Sequence, residues 1–177
     1  MNRQPVIRVG GAADAEAVAA LHSESWRTAY AGIVPPEALG DGLLEERREV
    51  WAIRLTADYG EPARTPLLLI AERDGETVGF AYLVPQSDGG RVLLDNLHVR
   101  PGLTGGGIGR TLLREALART AHAPLYLEVL RGNTRAVAFY EREGGVRTDE
   151  RDGHFPGGHV LPEYEYTWLP AARGGAD

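Results

Sequence analysis

The 177-residue sequence contains no cysteine and no lysine. Without cysteine the chain can form no disulfide bond, no thiolate metal site and no acyl-cysteine intermediate. Without lysine it can form no Schiff base at a lysine. It also lacks a basic, apolar N-terminal signal and any apolar run long enough to cross a bilayer. We therefore expect a cytoplasmic protein that does not bind membranes.

Acidic residues outnumber basic ones, which gives a formal net charge of −6 at pH 7. This balance argues against nucleic acid as the main partner and suits a cationic substrate. The length predicts one domain over residues 1–170, with a small, polar and disordered tail over residues 171–177.

The spacing of apolar residues predicts a mixed α/β order. Strands are expected near residues 5–9, 67–73, 77–84, 91–99, 124–130, 145–150 and 160–168, and helices over 14–30, 43–56, from 108 onward and over 133–143. Asp14 is a predicted N-cap of the first helix. Asp74 and Gly75 predict a tight hairpin turn, and residues 87–90 a second turn. The order corresponds to three antiparallel strands followed by a βαβ unit.

The most informative segment is the glycine-rich stretch 104–110, which lies between a predicted strand and an amphipathic helix. Glycines let the backbone approach a ligand closely, and the helix N-terminus adds partial positive charge. Together these features predict a phosphate site. A P-loop is excluded because it requires a lysine. A dinucleotide-binding fingerprint is disfavoured because Arg110 stands where its third glycine would be.

Two motifs in this order carry a family resemblance. The first comprises Val99, Pro101, Gly105, Gly107, Ile108 and Gly109, and the second Asn133, Ala136, Phe139, Tyr140, Glu141 and Gly144. The sequence resembles the GNAT superfamily of acetyl-coenzyme A-dependent N-acetyltransferases. The resemblance implies an α/β fold with a mixed central sheet of about seven strands and helices on both faces. It also implies that strands four and five are parallel and splay apart to admit the pantetheine arm.

The resemblance assigns acetyl-coenzyme A as cosubstrate, with no metal. The residues expected to contact it are Leu97, Val99, Thr104, Gly105, Gly106, Gly107, Ile108, Gly109, Arg110, Asn133 and Tyr140. Thr104 departs from the family, which usually has Gln or Arg there, and Arg110 and Arg100 are candidates to compensate. Asn133 has two readings, a coenzyme contact and a helix N-cap, which are compatible with each other.

Because there is no cysteine, we expect direct attack of the amine on the thioester in a ternary complex. The motif match predicts Tyr140 as the acid that protonates the leaving thiolate, against the alternative of a packed core aromatic. Asp95 and His98 are candidate bases. The alternative for Asp95 is a structural hydrogen-bond acceptor, and the alternative for His98 is a half-buried sheet residue. A further alternative is that water, and no single base, takes the proton from the amine. Strand alternation places Asp95 on one face with Leu93, Leu97 and Val99, unless a bulge intervenes.

The acceptor is expected to be a primary amine of a small molecule or a peptide. Glu24, Trp26 and Tyr30 are the candidate acceptor-binding residues, with Trp26 in the core and Glu24 in solvent as the alternative. His154 and His159 flank a glycine-rich loop, but no further ligand indicates a metal there, so a lid or hairpin loop is expected. A homodimer, a coenzyme A sensor without turnover and a transferase of longer acyl groups remain open alternatives.

Overall fold

The computed structural model describes residues 3–87, 90–155 and 158–170. The strands are β1 (Val6–Val9), β2 (Leu67–Arg73), β3 (Glu76–Pro85), β4 (Val92–Val99), β5 (Leu125–Leu130), β6 (Val146–Phe155) and β7 (His159–Trp168). The helices are α1 (Ala15–Ala29), α2 (Leu43–Thr56), α3 (Ile108–Arg119) and α4 (Thr134–Arg142). The predicted tail at 171–177 and the centres of two predicted turns, at 88–89 and 156–157, lie outside the described residues.

All seven strands form one sheet in the order β1-β2-β3-β4-β5-β7-β6. Neighbouring strands are antiparallel except for β4 and β5, which are parallel. This topology confirms the expected α/β fold with a parallel pair at strands four and five.

Helices cover both faces of the sheet because successive strand residues point to opposite sides. The face covered by α1 and α2, here the α1–α2 face, buries Val18, Leu21, Trp51, Leu68, Ile70, Phe80 and Tyr82. The opposite face, here the α3–α4 face, buries Leu69, Ala81, Leu83, Leu94, Ile108, Leu112, Leu127, Tyr140, Tyr166 and Trp168. The two apolar layers fix the sheet between the helix pairs, so that residues at the strand ends are held rigidly.

Two glycine-dependent features position the central strands. The β2–β3 turn has positive φ at both Asp74 (53°) and Gly75 (81°), as the sequence predicts. On β3, a Cβ at Gly79 would lie only 3.0 Å from the His98 carbonyl oxygen and from Leu112 Cδ1. Glycine at this position therefore lets α3 pack directly on the sheet.

Asp14 occupies the predicted N-cap position of α1, but its side chain does not cap that helix. Its carboxylate accepts from the Gly11 backbone N–H at 2.9 Å and from Arg8 at 2.7 Å, and it makes no cap hydrogen bond to α1. A short 3-10 turn over Ala12–Asp14 precedes α1, so the acid closes that turn instead. The Arg8 contact ties the start of α1 to strand β1.

Candidate active site

The parallel strands β4 and β5 separate soon after they begin. They pair at Val92 with Leu125 and at Leu93 with Tyr126, and no later pairing occurs among the described residues. Beyond these pairs, residues 94–99 of β4 and 127–130 of β5 face a gap with backbone groups that the sheet does not use. Backbone groups of this kind require other partners, and an extended ligand can supply them. This is the splayed pair that the family resemblance implies.

A β-bulge lies on β4 where the gap opens. Leu83 of β3 pairs with Leu94, but Tyr82 pairs with Asn96, which leaves Asp95 as the extra residue. A bulge reverses the alternation of every later side chain.

The bulge overturns the predicted face of Asp95. Leu97 and Val99 pack on the α3–α4 face with Leu94, whereas Asp95 bonds to α2 on the other side. The grouping of Asp95 with Leu97 and Val99 is therefore wrong, because that prediction assumed an unbroken strand.

The glycine loop ends at the N-terminus of α3. Gly105 and Gly107 have φ of 85° and 86°, a left-handed conformation that side-chain-bearing residues rarely adopt. A Cβ at Gly107 would meet no atom within 4 Å, so the space beside this glycine is open. Ile108 anchors the first turn of α3 in the core. Backbone N–H groups at such a helix start can bind phosphate oxygens.

The side chains around this loop differ in their availability. Thr104 is exposed. Arg110 donates to Glu143 at 3.1 Å, and Arg100 donates to the Thr77 carbonyl oxygen at 2.6 Å. Both arginines that could compensate for Thr104 are therefore already engaged with the protein.

Arg135 is a residue that sequence reasoning missed. Its Nη2 atom lies 3.9 Å from the Cβ position of Gly105, because the N-terminus of α4 converges on that of α3. The two helices pack together at Gly109, whose Cβ position lies 3.6 Å from Phe139 Cζ. The sequence feature that could have identified Arg135 is its position two residues after Asn133, in the second motif and at the start of the predicted helix.

Asn133 forms the N-cap of α4, where its Oδ1 accepts from the Ala136 N–H at 3.3 Å. The N-cap reading of this residue is confirmed, and the coenzyme contact stays a prediction. At the other end of α4, Trp168 Nε1 donates to the Glu143 carbonyl oxygen at 3.0 Å. Both ends of α4 are thus fixed, which holds its inner face in register with the sheet.

Tyr140 lies on that inner face and is 9% exposed. Its ring packs edge-on against Trp168, with a centroid distance of 6.1 Å. Among the described residues its hydroxyl has no hydrogen-bond partner. Burial raises the pKa of Tyr140 above its ordinary value, and nearby Tyr30 raises it further. The hydroxyl is therefore protonated at neutral pH and has a proton to donate.

Tyr30 ends α1, on the opposite side of the sheet from α4. Burial is the main cause of the raised pKa of Tyr140, and the charge of Tyr30 adds to it. The β4–β5 gap is where the sheet opens between the two faces that carry these tyrosines.

His98 follows the bulge and faces α1. Its Nδ1 lies 2.8 Å from the Ser25 hydroxyl, and its ring centroid is 4.7 Å from that of His22. Burial lowers the pKa of His98 to about 4, and the charge of Arg47 contributes to this shift. The imidazole is neutral at physiological pH, so it can accept a hydrogen bond but takes up a proton reluctantly.

Asp95 is held by two donors. Arg54 Nη1 donates to its carboxylate at 2.9 Å, and Asn96 Nδ2 donates at 2.8 Å. The Asp95 side chain is 30% exposed and lies toward α2. These contacts match the reading of Asp95 as a structural hydrogen-bond acceptor.

The structure brings two of the three predicted acceptor-binding residues together. Trp26 and Tyr30 form an edge-to-face pair with centroids 4.9 Å apart. Glu24 lies on a different stripe of α1, where it borders a cavity of about 320 Å³ together with Thr77 and Arg100. Of the three, Trp26 and Tyr30 therefore form one aromatic pair, here the Trp26–Tyr30 wall, and Glu24 lies apart from it; their binding of the acceptor stays a prediction.

Two charged residues near this wall were missed. Arg47 of α2 stacks over the Trp26 ring at 4.4 Å. Burial raises the pKa of Tyr30, the charge of Glu163 of β7 raises it further, and Arg47 lowers it. No local motif marks either charged residue, because both are distant from Tyr30 in the sequence.

The part of the chain that the structure describes has neither a metal-binding cluster nor a membrane-spanning helix. In residues 3–87, 90–155 and 158–170, no group of three or more His, Cys, Asp or Glu side chains could hold a metal ion. Across the same ranges, no helix has the length and apolar character needed to cross a bilayer.

Comparison with known proteins agrees with this geometry. Residues 19–145 match the model of the acetyltransferase (GNAT) family. The chain belongs to the GNAT acetyltransferase family. A phosphinothricin N-acetyltransferase from Alcaligenes faecalis is 34% identical over 150 residues, which cover 80% of this chain and 70% of that protein. A streptothricin acetyltransferase from Streptomyces lavendulae is 36% identical over 88 residues, covering 48% of this chain and 47% of that protein.

A solved structure extends the comparison of this GNAT acetyltransferase to the whole fold. The PaiA N-acetyltransferase from Thermoplasma acidophilum, solved in complex with coenzyme A, superposes with a TM-score of 0.71 at 25% identity. The match covers 93% of this chain and 100% of that chain. The splayed strands and the glycine loop thus belong to a fold that binds coenzyme A in a relative.

Proposed function

We propose that this GNAT acetyltransferase moves an acetyl group from acetyl-coenzyme A directly to a primary amine of a small molecule or peptide. The observation that carries the proposal is the splayed β4–β5 pair. The glycine loop at the start of α3 and the unpartnered Tyr140 hydroxyl belong to one face of the sheet, and the Trp26–Tyr30 pair at the end of α1 belongs to the other.

The residues on the α3–α4 side fit the coenzyme. The pyrophosphate fits the open loop from Thr104 to Arg110, whose backbone N–H groups lie at the start of α3. Arg135, 3.9 Å from the Cβ position of Gly105, adds a cation that is not paired with a carboxylate among the described residues. The free edge of β4 at Leu97 and Val99 can hydrogen-bond an extended amide-containing arm.

The chemistry requires two proton movements. The amine nitrogen, once neutral, attacks the acyl carbon while the carbon–sulfur bond breaks. Tyr140 donates its phenolic proton to the leaving sulfur; its raised pKa keeps the hydroxyl protonated at neutral pH, and no other hydrogen bond among the described residues engages it. The nitrogen's proton passes to water, with neutral His98 as a hydrogen-bond acceptor oriented by Ser25. Asp95, the other candidate base, is engaged by Arg54.

The acceptor is proposed to be a compound with a free amine. The relatives from Alcaligenes faecalis and Streptomyces lavendulae are named for the small molecules phosphinothricin and streptothricin. Their similarity supports a small-molecule acceptor for this chain more than a protein one. The aromatic pair Trp26 and Tyr30 supplies a flat wall suited to a small organic substrate.

A coenzyme A-release assay tests the function. Acetyl-coenzyme A and panels of amines are incubated with the enzyme, and free thiol is detected with a thiol reagent. Because the protein contains no cysteine, it gives no thiol signal of its own. Release that depends on an amine and is lost in Tyr140→Phe supports the proposal. Tight coenzyme binding without release for any amine would favour a sensor instead.

A further inference from the structure

The β4–β5 gap is closed at the end where both strands begin, here the apex of the gap. Among the described residues the two strands pair there at two positions only, Val92 with Leu125 and Leu93 with Tyr126. A backbone bond from the Val92 N–H to the Pro124 carbonyl oxygen, at 2.9 Å, lies beside these pairs. By contrast, β5 pairs with β7 along its whole length. The sheet therefore has two well-paired halves, β1–β4 and β5–β7–β6, that meet at a short junction.

One side chain spans this junction. Arg91 directly precedes β4, and its guanidinium carbon lies 3.8 Å from the centre of the Tyr126 ring, which belongs to the last pair before the gap. The Nη1 atom of the same guanidinium donates to Glu165 Oε1 of β7 at 3.2 Å. A planar guanidinium is suited to both contacts, since it stacks on aromatic rings and pairs with carboxylates. Arg91, Tyr126 and Glu165, here the apex clamp, thus join the start of β4 to both β5 and β7.

Glu165 is the firmly held end of the apex clamp. Its side chain is only 8% exposed, whereas that of Arg91 is 39% exposed. The Thr148 hydroxyl of β6 also donates to Glu165 Oε1, at 2.8 Å, and lies 2.9 Å from the Thr167 hydroxyl. Because β6 and β7 together hold this carboxylate in place, its ion pair with Arg91 resists separation of the two halves of the sheet.

The proposed position of the coenzyme directs its acyl group toward the apex. The glycine loop follows Val99, so an arm that runs from this loop along the free edge of β4 passes Leu97 and points toward Leu93. The four residues of strand from Leu97 to Leu93 span roughly 13 Å. Over this distance the gap narrows to the separation of hydrogen-bonded strands, about 4.8 Å. An acyl group longer than acetyl must therefore enter the narrowest part of the gap.

We propose that the apex clamp sets the width of the gap at its closed end and thereby selects acetyl over longer acyl groups. Arg91 and Glu165 are positioning residues in this respect, because they act through the separation of β4 and β5. Loss of their ion pair lets the strands part at Leu93 and Tyr126, which makes room for additional methylene groups. This inference rests on the proposed acetyl transfer and assigns the determinant of its acyl-chain length.

A panel of acyl donors tests the selectivity. Acetyl-, propionyl-, butyryl- and hexanoyl-coenzyme A are compared by kcat/KM in the coenzyme A-release assay with one accepted amine. A site that rejects one additional methylene group discriminates by about tenfold or more. We expect the wild-type enzyme to prefer acetyl over butyryl by at least about tenfold, and Arg91→Met to reduce this preference about tenfold. Both donors are measured on the same protein, so a variant that merely folds less well lowers both rates and keeps their ratio.

Arg119→Met is the matched control. Arg119 lies in the last turn of α3, is 43% exposed, and donates to Glu115 at 2.8 Å, so its loss removes a comparable ion pair outside the apex. The acetyl-to-butyryl ratio should stay at the wild-type value in this variant. Glu165→Gln should lower the ratio as Arg91→Met does, and the double variant should lower it no further, because both substitutions remove the same interaction.

Three results would overturn the proposal. The first is a wild-type enzyme that uses butyryl-coenzyme A as well as acetyl-coenzyme A. The second is an unchanged donor ratio in Arg91→Met. The third is a double variant in which the effects of the two single substitutions multiply, since that would show that Arg91 and Glu165 act independently.

Binding separates this inference from the proposed function. Acetyl- and butyryl-coenzyme A are titrated by calorimetry into the wild-type protein and Arg91→Met, without any amine. A preference for acetyl-coenzyme A that falls about tenfold in Arg91→Met supports the apex clamp even if no amine is acetylated. Acetyl transfer with the same donor preference in both proteins, in kinetics and in binding, would refute the clamp and leave the acetyl transfer intact.

Discussion

Replacement of Tyr140 by phenylalanine removes a single oxygen from the centre of the site. The ring keeps its contacts with Phe139, Tyr166 and Trp168, so the α3–α4 face stays packed. The hydroxyl has no hydrogen-bond partner among the described residues, so its removal leaves no buried donor or acceptor unsatisfied. We therefore expect the free energy of unfolding to stay within about 0.5 kcal/mol of the wild-type value.

Turnover should respond very differently. Loss of a positioned general acid lowers the rate by roughly a hundredfold to ten-thousandfold, which is about 3–5 kcal/mol of transition-state stabilisation. Coenzyme affinity should change little, because the backbone of the glycine loop provides most of the contacts to the phosphates. The expected signature is a large fall in kcat without a loss of stability.

Tyr166→Phe is the matched control. Tyr166 belongs to the same aromatic cluster, but its hydroxyl donates to Glu141 at 2.7 Å. Its loss should destabilise the protein by about 0.5–1.5 kcal/mol, a few degrees in Tm, and leave kcat near the wild-type value. Steady-state coenzyme A release, calorimetry and thermal unfolding measure these quantities. Wild-type turnover in Tyr140→Phe, or equal losses in the two variants, would refute the assignment of Tyr140 as the acid.

Further predictions address the loop, His98 and the bulge. Gly107→Val should weaken coenzyme binding at least about tenfold in calorimetry, whereas Gly60→Val, with a similar positive φ of 78°, should share its strain but keep the affinity. Thr104→Gln should tighten coenzyme binding by at most roughly 1.5–3 kcal/mol; weaker binding would show that the loop is built around threonine. The folded pKa of His98, about 4, lies below its ordinary value of 6.5, so the unfolded chain binds the proton first. Stability should therefore fall as pH drops from 6.5 toward 4, and His98→Gln should flatten that slope in denaturant titrations. Asp95→Asn should lower Tm and keep the pH profile of kcat; a shifted acidic limb would instead identify Asp95 as the base.

The parts of the fold that sequence predicts are those encoded locally. The 3.6-residue spacing of Ile108, Leu112 and Ala116 specifies α3 whatever surrounds it. The positive φ values at Asp74 and Gly75 follow from the residue types in the turn. The glycine loop is predictable for the same reason, since a left-handed backbone at Gly105 and Gly107 excludes most other residues.

The parts that sequence reasoning missed depend on segments far apart in the chain. Arg47, Arg135 and Glu163 come from α2, α4 and β7, and nothing in their immediate neighbours distinguishes them from solvated charges. Only the packed structure reveals what surrounds them, such as the Trp26 ring below Arg47 and the glycine loop beside Arg135. Glu24 is the opposite case. It stands two residues before Trp26 in the sequence, which suggested that the two side chains lie together. Residues two apart on a helix point in different directions, so they do not.

The bulge at Asp95 links the fold to the proposed chemistry. In an unbroken strand, Leu94, Asn96 and His98 would share one face, and the imidazole would point toward α3 and the coenzyme side. The extra residue reverses this order. Leu97 and Val99 then line the α3–α4 side, while His98 faces α1. The Arg54–Asp95 ion pair ties the extra residue to α2, on the side of the sheet where the acceptor is proposed to bind.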